Sequence, residues 1–254
     1  MTQRDRLADI IKIVHAEQKV QVSDLAKRYQ VTNETIRRDL EALEKDGIVA
    51  RTYGGAIAVQ ASPVTSDYKI RAVKNAAAKA AIGRLAASLL PENGAIGCDS
   101  GTTVYETIPY IRSRSSLTLL TNSVRILNDF MYDKLRIIST GGILNSRTQS
   151  LEGELAIRMM GNYFLDACII GCHSLDLVYG IYDGSEAVVQ YKNTLIDHSR
   201  KVILLADHTK FDRTSLIRTA PFSLIDVLVT DRRPSDEWLT CMEQKNIQVL
   251  YPDA

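Results

Sequence analysis

No run of apolar residues in this chain approaches the ~18 that a bilayer-spanning helix requires, so a membrane-spanning helix is not expected. The polar start, MTQRDR, has no secretory apolar core behind it, and the expected compartment is cytoplasmic. An excess of one charge is also missing. Formal net charge is +1, and residues 1–59 hold ten Lys/Arg against nine Asp/Glu. Bulk charge therefore gives no argument for nucleic acid, and a DNA footprint would have to come from the sorting of charges over faces. The four cysteines, Cys98, Cys168, Cys172 and Cys241, show no metal-type pairing, so they read as reduced core thiols. There is no internal repeat and no low-complexity tract. No G-x-G-x-x-G follows the first strand of the long C-terminal part, so no dinucleotide cofactor is expected, and no metal either.

What is present is an amphipathic helix over residues 32–45, TNETIRRDLEALEK. Ile36, Leu40 and Leu43 recur at i, i+4, i+7 and share a face that must be buried. Glu34, Arg38, Glu41 and Lys45 then point outward, with Thr35 and Arg37 on the shoulders. Thr32 can cap the helix through its hydroxyl, and Gly47 can stop it. The N-terminal turn thus presents Thr32, Asn33 and Thr35, with Arg37 and Arg38 following. Short polar groups for base edges and guanidinium forks for guanine or phosphate are what a major-groove helix needs.

The surroundings fit that use. A helix over 4–17 (Leu7, Ile10, Ile11, Val14) precedes a short extended piece at 20–22. Ser23 can then cap a second helix over 24–29, and three residues separate it from the third, a helix-turn-helix length. Two apolar runs within 48–59 flank Gly54-Gly55 and predict a β-hairpin. Three helices and a hairpin in under 60 residues predict an α+β winged helix-turn-helix domain over 1–59, with Arg51 and Tyr53 placed on the wing.

These residues carry a resemblance. Val31-Thr32-Asn33-Glu34-Thr35-Ile36-Arg37-Arg38-Asp39-Leu40, Leu43-Glu44-Lys45-Asp46-Gly47 and Arg51-Thr52-Tyr53-Gly54-Gly55-Ala56 resemble the N-terminal signature of the DeoR family of bacterial sugar-metabolism regulators. The family usually has Ser where this chain has Thr32, which keeps the hydroxyl.

Beyond a polar linker at 60–68, an Ala-rich helix is predicted over 69–90. Strand-like runs follow at 95–98, 117–121, 135–139, 167–170, 201–206, 227–230 and 248–250. Helical stretches at 102–111, 124–130, 154–163, 185–196 and 235–244 lie between most of them. This alternation predicts an α/β domain over 69–254 with a mostly parallel, doubly covered sheet. Ligands of such sheets bind beyond the carboxyl ends of the strands. Those ends here carry Asp99-Ser100-Gly101-Thr102-Thr103, Thr121-Asn122-Ser123, Gly141-Gly142, Gly171 and Asp207-His208-Thr209-Lys210-Phe211. Hydroxyls, glycines, an amide and charges recurring at matching positions predict a pocket for one small polar metabolite.

The same strand ends, with Glu152-Gly153-Glu154, resemble the DeoR-type effector domain, which looks like ribose-5-phosphate isomerase. The resemblance implies a phosphorylated sugar as effector. Residues 100–103 and Lys210 would take the phosphate, and Asp99, Asn122 and Asp207 the sugar hydroxyls. Lys79 stands where the family often has Lys. The rival expectation is a sugar-phosphate isomerase with an accessory DNA-binding domain, which needs a general base. Such isomerases carry theirs near a Gly-Ala-Asp-Glu-Ile-Asp stretch with another Asp just before. The matching stretch here is Ile170-Gly171-Cys172-His173-Ser174-Leu175-Asp176, with Ile170 and His173 where the acidic pair would stand. The expectation is therefore a non-enzymatic repressor that binds operator DNA as a homodimer or homotetramer.

Overall fold

The computed structural model describes residues 3–17, 19–45, 49–58 and 68–252. The chain forms two compact units, Met1–Lys74 and Asn75–Ala254. No helix among the described residues is long and apolar enough to cross a membrane.

The first unit runs α1 (Gln3–Glu17), β1 (Lys19–Gln21), α2 (Val22–Tyr29), α3 (Asn33–Lys45), β2 (Val49–Thr52), β3 (Gly55–Ala58) and α4 (Tyr68–Val73). Ile10, Val14, Leu25, Ile36, Leu40, Leu43, Val49 and Ala56 form its apolar centre, and Ile70 and Val73 of α4 pack against it. The face expected from the i, i+4, i+7 spacing on α3 is the buried one. Thr32 caps α3 as expected, its Oγ1 accepting from Thr35 N–H at 3.2 Å. Gly47 lies outside the described residues.

Two local expectations are corrected. Ser23 does not cap α2: the helix begins at Val22, whose N–H donates to Gly54 O at 2.9 Å, and Ser23 lies inside it. Val22 is drawn into the first turn because its side chain is buried. The wing turns at Tyr53-Gly54, not Gly54-Gly55, since Thr52 and Gly55 are paired across β2 and β3. Gly55 sits in the central strand of β1-β3-β2, where a Cβ would meet Val20 O at 2.0 Å. Close strand approach, not turn geometry, demands glycine there.

The second unit begins with α5 (Ala76–Ser88), so the helix expected over 69–90 is two helices. Lys74 and Asn75 break it, and Asn75 has φ 54°, a left-handed conformation that Asn tolerates better than most residues. Next come β4 (Gly94–Cys98), α6 (Thr102–Tyr105), β5 (Leu117–Thr121), α7 (Val124–Asp129) and β6 (Arg136–Ser139). The helix expected over 102–111 stops early, and a 3-10 turn at Ile108–Tyr110 replaces its end. Pro109 has no N–H to continue an α-helix. The chain continues with β7 (Ile143–Asn145), β8 (Ser150–Glu152), α8 (Glu154–Gly161), β9 (Ala167–Gly171), β10 (Ser174–Asp176) and β11 (Gly180–Asp183). It ends with α9 (Glu186–Asp197), β12 (Val202–Leu205), β13 (Ile217–Ala220), β14 (Val227–Val229), α10 (Asp236–Gln244) and β15 (Gln248–Leu250).

All seven expected strands join one parallel sheet in the order β15-β14-β12-β9-β4-β5-β6. Neighbouring residues of one strand enter opposite cores: Cys168 and Ile170 one, Ala167 and Ile169 the other. Burial on both faces is why these strands read as unbroken apolar runs. From β4 the chain builds outward to β5 and β6, then returns to place β9 on the other side of β4. The order of strand addition reverses between β4 and β9, the place above whose strand ends such sheets bind their ligands.

Candidate DNA interface and sensor pocket

The first unit gathers the expected DNA-contact residues. Asn33, Arg37, Arg38, Arg51 and Tyr53 are exposed, Thr32 is exposed at the cap, and Thr35 is half-buried. Thr32 Oγ1 and Thr35 Oγ1 lie 2.9 Å apart, so the two hydroxyls work as one polar group at the helix start. Glu34 stands 3.9 Å from the Arg37 guanidinium and 3.5 Å from that of Arg38. Such solvated pairs hold little energy, so both forks remain available to phosphate or guanine. The wing strand is tied to the last turn of α3, because Arg51 N–H donates to Glu44 Oε1 at 2.9 Å. Tyr53 stands at the wing tip, fully in solvent.

One feature of this unit escaped the sequence reading. Arg6 of α1 and Asp39 of α3 form a buried two-pronged pair, Nε–Oδ2 2.6 Å and Nη2–Oδ1 3.2 Å. The hydrogen bond to Asp39 holds the Arg6 pKa up against burial. Asp39 lies three residues from Ile36 on the inward face of α3, which was the available signal.

In the second unit the ends of β4 and β9 are tied by Asp99. Its Oδ1 accepts Gly101 N–H at 2.7 Å and its Oδ2 accepts Gly171 N–H at 2.9 Å, so one carboxylate clamps the two strand ends. Beneath it lies Lys192 of α9. The ammonium donates to Gly171 O at 2.8 Å and to both oxygens of Asp183 at 2.9 and 2.8 Å, and stands 3.3 Å from Asp99 Oδ2. Thr219 Oγ1 completes Asp183 at 2.8 Å. Burial pulls the Lys192 pKa down, but Asp183 and Asp99 outweigh it, so the group is raised and stays charged. The antiparallel sheet β10-β11-β13, absent from the sequence expectation, exists at this point to deliver Asp183 and Thr219. Lys192 was missed because a lysine on a helix reads as solvated. Its spacing from Val189 and Leu195 puts it on the inward face, a signal that was present.

The other expected residues distribute as follows. Ser100 and Gly101 are half-buried; Thr102 and Thr103 are buried in the four-residue α6. Thr121 is fully buried and its Oγ1 accepts from Ser123 N–H at 3.0 Å and from Cys98 Sγ at 3.2 Å, a structural role. Asn122 donates Nδ2 to Leu151 O at 3.1 Å, while its buried Oδ1 has no hydrogen-bond partner. Gly141 and Gly142 have φ of 66° and 117°; a Cβ on Gly142 would meet Glu152 O at 2.5 Å, whereas Gly141 faces open space. Asp207 is buried, and its Oδ1 accepts from Thr209 N–H at 3.0 Å and from Asn75 Nδ2 at 3.1 Å. Burial raises its pKa, but Thr209, Lys210 and Asn75 outweigh it and leave the carboxyl below its ordinary value. Lys79 is buried in α5, and its charge acts on Glu106.

Cys172 shows which of these converge. Burial pushes its thiol up to about 12, and Lys210, Asp183, Lys192 and Asp207 all act on it electrostatically. The loops after β9 and β12 and the helix α9 therefore meet around one point. Tyr191, also missed, reaches the ends of β4, β5 and β6: its hydroxyl donates to Cys98 O at 3.4 Å, beside Thr140 and the Asn122 backbone. His173 donates its backbone N–H to Tyr182 O, starting the β10–β11 pairing. Among the described residues no cluster of three or more His, Cys, Asp or Glu side chains could hold a metal ion.

Two family models match this chain: the DeoR-like helix-turn-helix domain over residues 6–62 and the DeoR C terminal sensor domain over residues 74–232. The chain belongs to the DeoR family. It is a DNA-binding transcriptional regulator with a sensor domain. The transcriptional repressor GlcR of Bacillus subtilis is 31% identical over 100% of this chain and 98% of its own. The glycerol-3-phosphate regulon repressor of Escherichia coli is 29% identical over 98% of this chain and 99% of its own. Among solved structures, ribose 5-phosphate isomerase A of Methanocaldococcus jannaschii matches 54% of this chain and 55% of its own at 12% identity, with a TM-score of 0.41.

Proposed function

We propose that this DeoR-family regulator represses a carbohydrate-utilisation operon and that a phosphorylated sugar, bound at the ends of β4 and β9, modulates its grip on the operator. The observation that carries the reading is the junction of Asp99, Lys192 and Asp183 at the reversal point of a parallel sheet. Ile170 and His173 stand where an isomerase would carry its acidic pair, and the two carboxylates that are present, Asp99 and Asp183, are neutralised by one buried lysine and by hydrogen-bond donors. Groups held this way shape a pocket and do not move protons. The binding groups left are Lys210 and the loop 100–103 for phosphate, and the unpartnered Asn122 Oδ1 for a sugar hydroxyl. Asp99 serves the same site by holding its loop. The names of the two relatives point the same way, one to a repressor and one to a phosphorylated polyol regulon.

Thr32, Asn33, Thr35, Arg37 and Arg38 would read the major groove, with Arg51 and Tyr53 on the wing. One such module buries only about 600–1,000 Å² on DNA, so a homodimer or homotetramer on repeated half-sites is the working assembly. Its place of action is the cytoplasm, where the operator is. A panel of sugar phosphates screened by thermal shift tests the reading: a ligand at 100 times its Kd adds about 2.7 kcal/mol of stability. If no phosphorylated sugar raises Tm or alters operator binding, the effector assignment is lost.

A further inference from the structure

We infer that Asn75 is a relay residue, a side-chain tie between the sensor loop 207–210 and the helix that enters the DNA-binding unit. The inference rests on the effector reading above, since that reading assigns Asp207 and Lys210 to the ligand. Asn75 stands at the N-cap of α5, where an Asn side chain ordinarily accepts from its own helix. Here it makes no cap. Its Nδ2 is sent across the sequence to Asp207 Oδ1 at 3.1 Å and Thr209 Oγ1 at 3.2 Å. To do so Asn75 holds φ at 54°, outside the ordinary helical and extended regions. A local cap and a relaxed backbone are both given up for a tie to one loop.

Lys210 N–H closes that loop on Asp207 O at 2.9 Å, and His208 N–H ties it to Asp231 Oδ1 at 2.7 Å. Asp207 Oδ1 gathers Thr209 N–H, the Thr209 hydroxyl and the Asn75 amide, so the tie to α5 and the loop's own side-chain bonds share one oxygen. A ligand that draws on Asp207 or Lys210 must redistribute these donors. The consequence travels along the chain itself. Asn75 opens the second unit, and Lys74 closes the first. One residue further back, α4 ends at Val73, which with Ile70 packs on the apolar centre beneath the recognition helix. A change at the Asn75 amide thus falls on the join between α5 and a helix built into the DNA-binding core.

The test uses the full chain and a duplex selected from a random library by the wild-type protein, so it does not depend on knowing the sugar. Asn75→Gly keeps the left-handed backbone at no steric cost and removes only the amide. Thr209→Val removes the hydroxyl from the other side of the same tie. Each single variant should shift the ligand-free Kd for the duplex threefold or more, and the double variant should shift it no further than the larger single. Single shifts below threefold, or a double shift equal to the product of the singles, would overturn the relay. Asn75→Gly should also leave Tm within a few degrees, whereas a purely structural Asn75 would move Tm and leave operator affinity alone. Should Asn75→Gly not fold, Thr209→Val decides alone by the same threefold limit. A wild-type protein whose Tm ignores glucose 6-phosphate, glycerol 3-phosphate and related sugar phosphates would remove the effector reading, while the ligand-free cycle would still decide the relay.

Discussion

At the scale of single residues, two buried cations hold distant parts of the chain together: Arg6 on Asp39, and Lys192 between Asp99 and Asp183. Arg6–Asp39 joins the first and third helices of the DNA-binding unit. Removing one partner leaves an uncompensated buried charge, so Asp39→Ala should cost about 3–5 kcal/mol, read as a loss of the denaturation midpoint. The double variant Arg6→Met/Asp39→Leu should recover most of that, since apolar replacement of both partners removes the stranded charge. Lys192 gives the corresponding prediction with a pH signature. Its pKa is raised in the folded protein. Its contribution is therefore complete below the ordinary lysine value of about 10.4 and is lost as pH rises through the higher folded value. Lys192→Met leaves the buried Asp99 and Asp183 without their shared cation. The variant should be destabilised at pH 7, and its difference from wild type should narrow as pH rises past about 10.4. Urea midpoints measured from about pH 7 to about pH 11 check this; a parallel pair of curves for wild type and variant would remove Lys192 from its role.

At the scale of elements, the wing and the recognition helix make the sharpest predictions. Gly55→Ala drives a methyl into Val20 O across the central strand. Overpacking of this kind costs about 1–3 kcal/mol, and the loss should appear in the first unit's unfolding while the second unit's transition stays in place. Arg38→Ala should weaken operator binding by about 1–3 kcal/mol and relax preference at one base pair if the fork reads a guanine; unchanged affinity and preference would remove it from the interface. These elements were legible because their signals are local. The α3 stripe has a strict helical period, and the seven strands of the main sheet are continuous apolar runs. What was not legible depends on distant partners. The strands β7, β8, β10, β11 and β13 are three or four residues long, too short for an alternation to register. The break at Asn75 hides inside an alanine-rich stretch whose propensity stays helical on both sides. Asp183 and Lys192 are nine residues apart, but what makes them a site is Asp99, on another strand nearly a hundred residues earlier.

At the scale of the whole molecule, a nearly neutral chain must bind a polyanion and sense an anion without confusing the two. The groups assigned to the two tasks stand on different units. The arginines of the recognition helix and wing are exposed on the first unit, while Lys192 and Lys79 are buried in the second and unavailable to a DNA backbone. Only Lys210 among the sensor-site lysines named here is partly open to solvent. Two functions held by separate charges should separate under mutation. Lys210→Ala should leave the ligand-free operator Kd within about twofold and leave the slope of log Kd against log salt unchanged, because no phosphate contact of the DNA is lost. The same variant should no longer release or tighten on the duplex when the sugar phosphate is added. Arg51→Ala should do the reverse, lowering the salt slope by about one contact while the response to the sugar phosphate survives. Titrating both variants against one duplex at several salt concentrations, with and without ligand, reads all four quantities in one series. If Lys210→Ala changed the salt slope, the lysine would belong to the DNA footprint, and the phosphate would have to be held by other groups at the ends of β4 and β9.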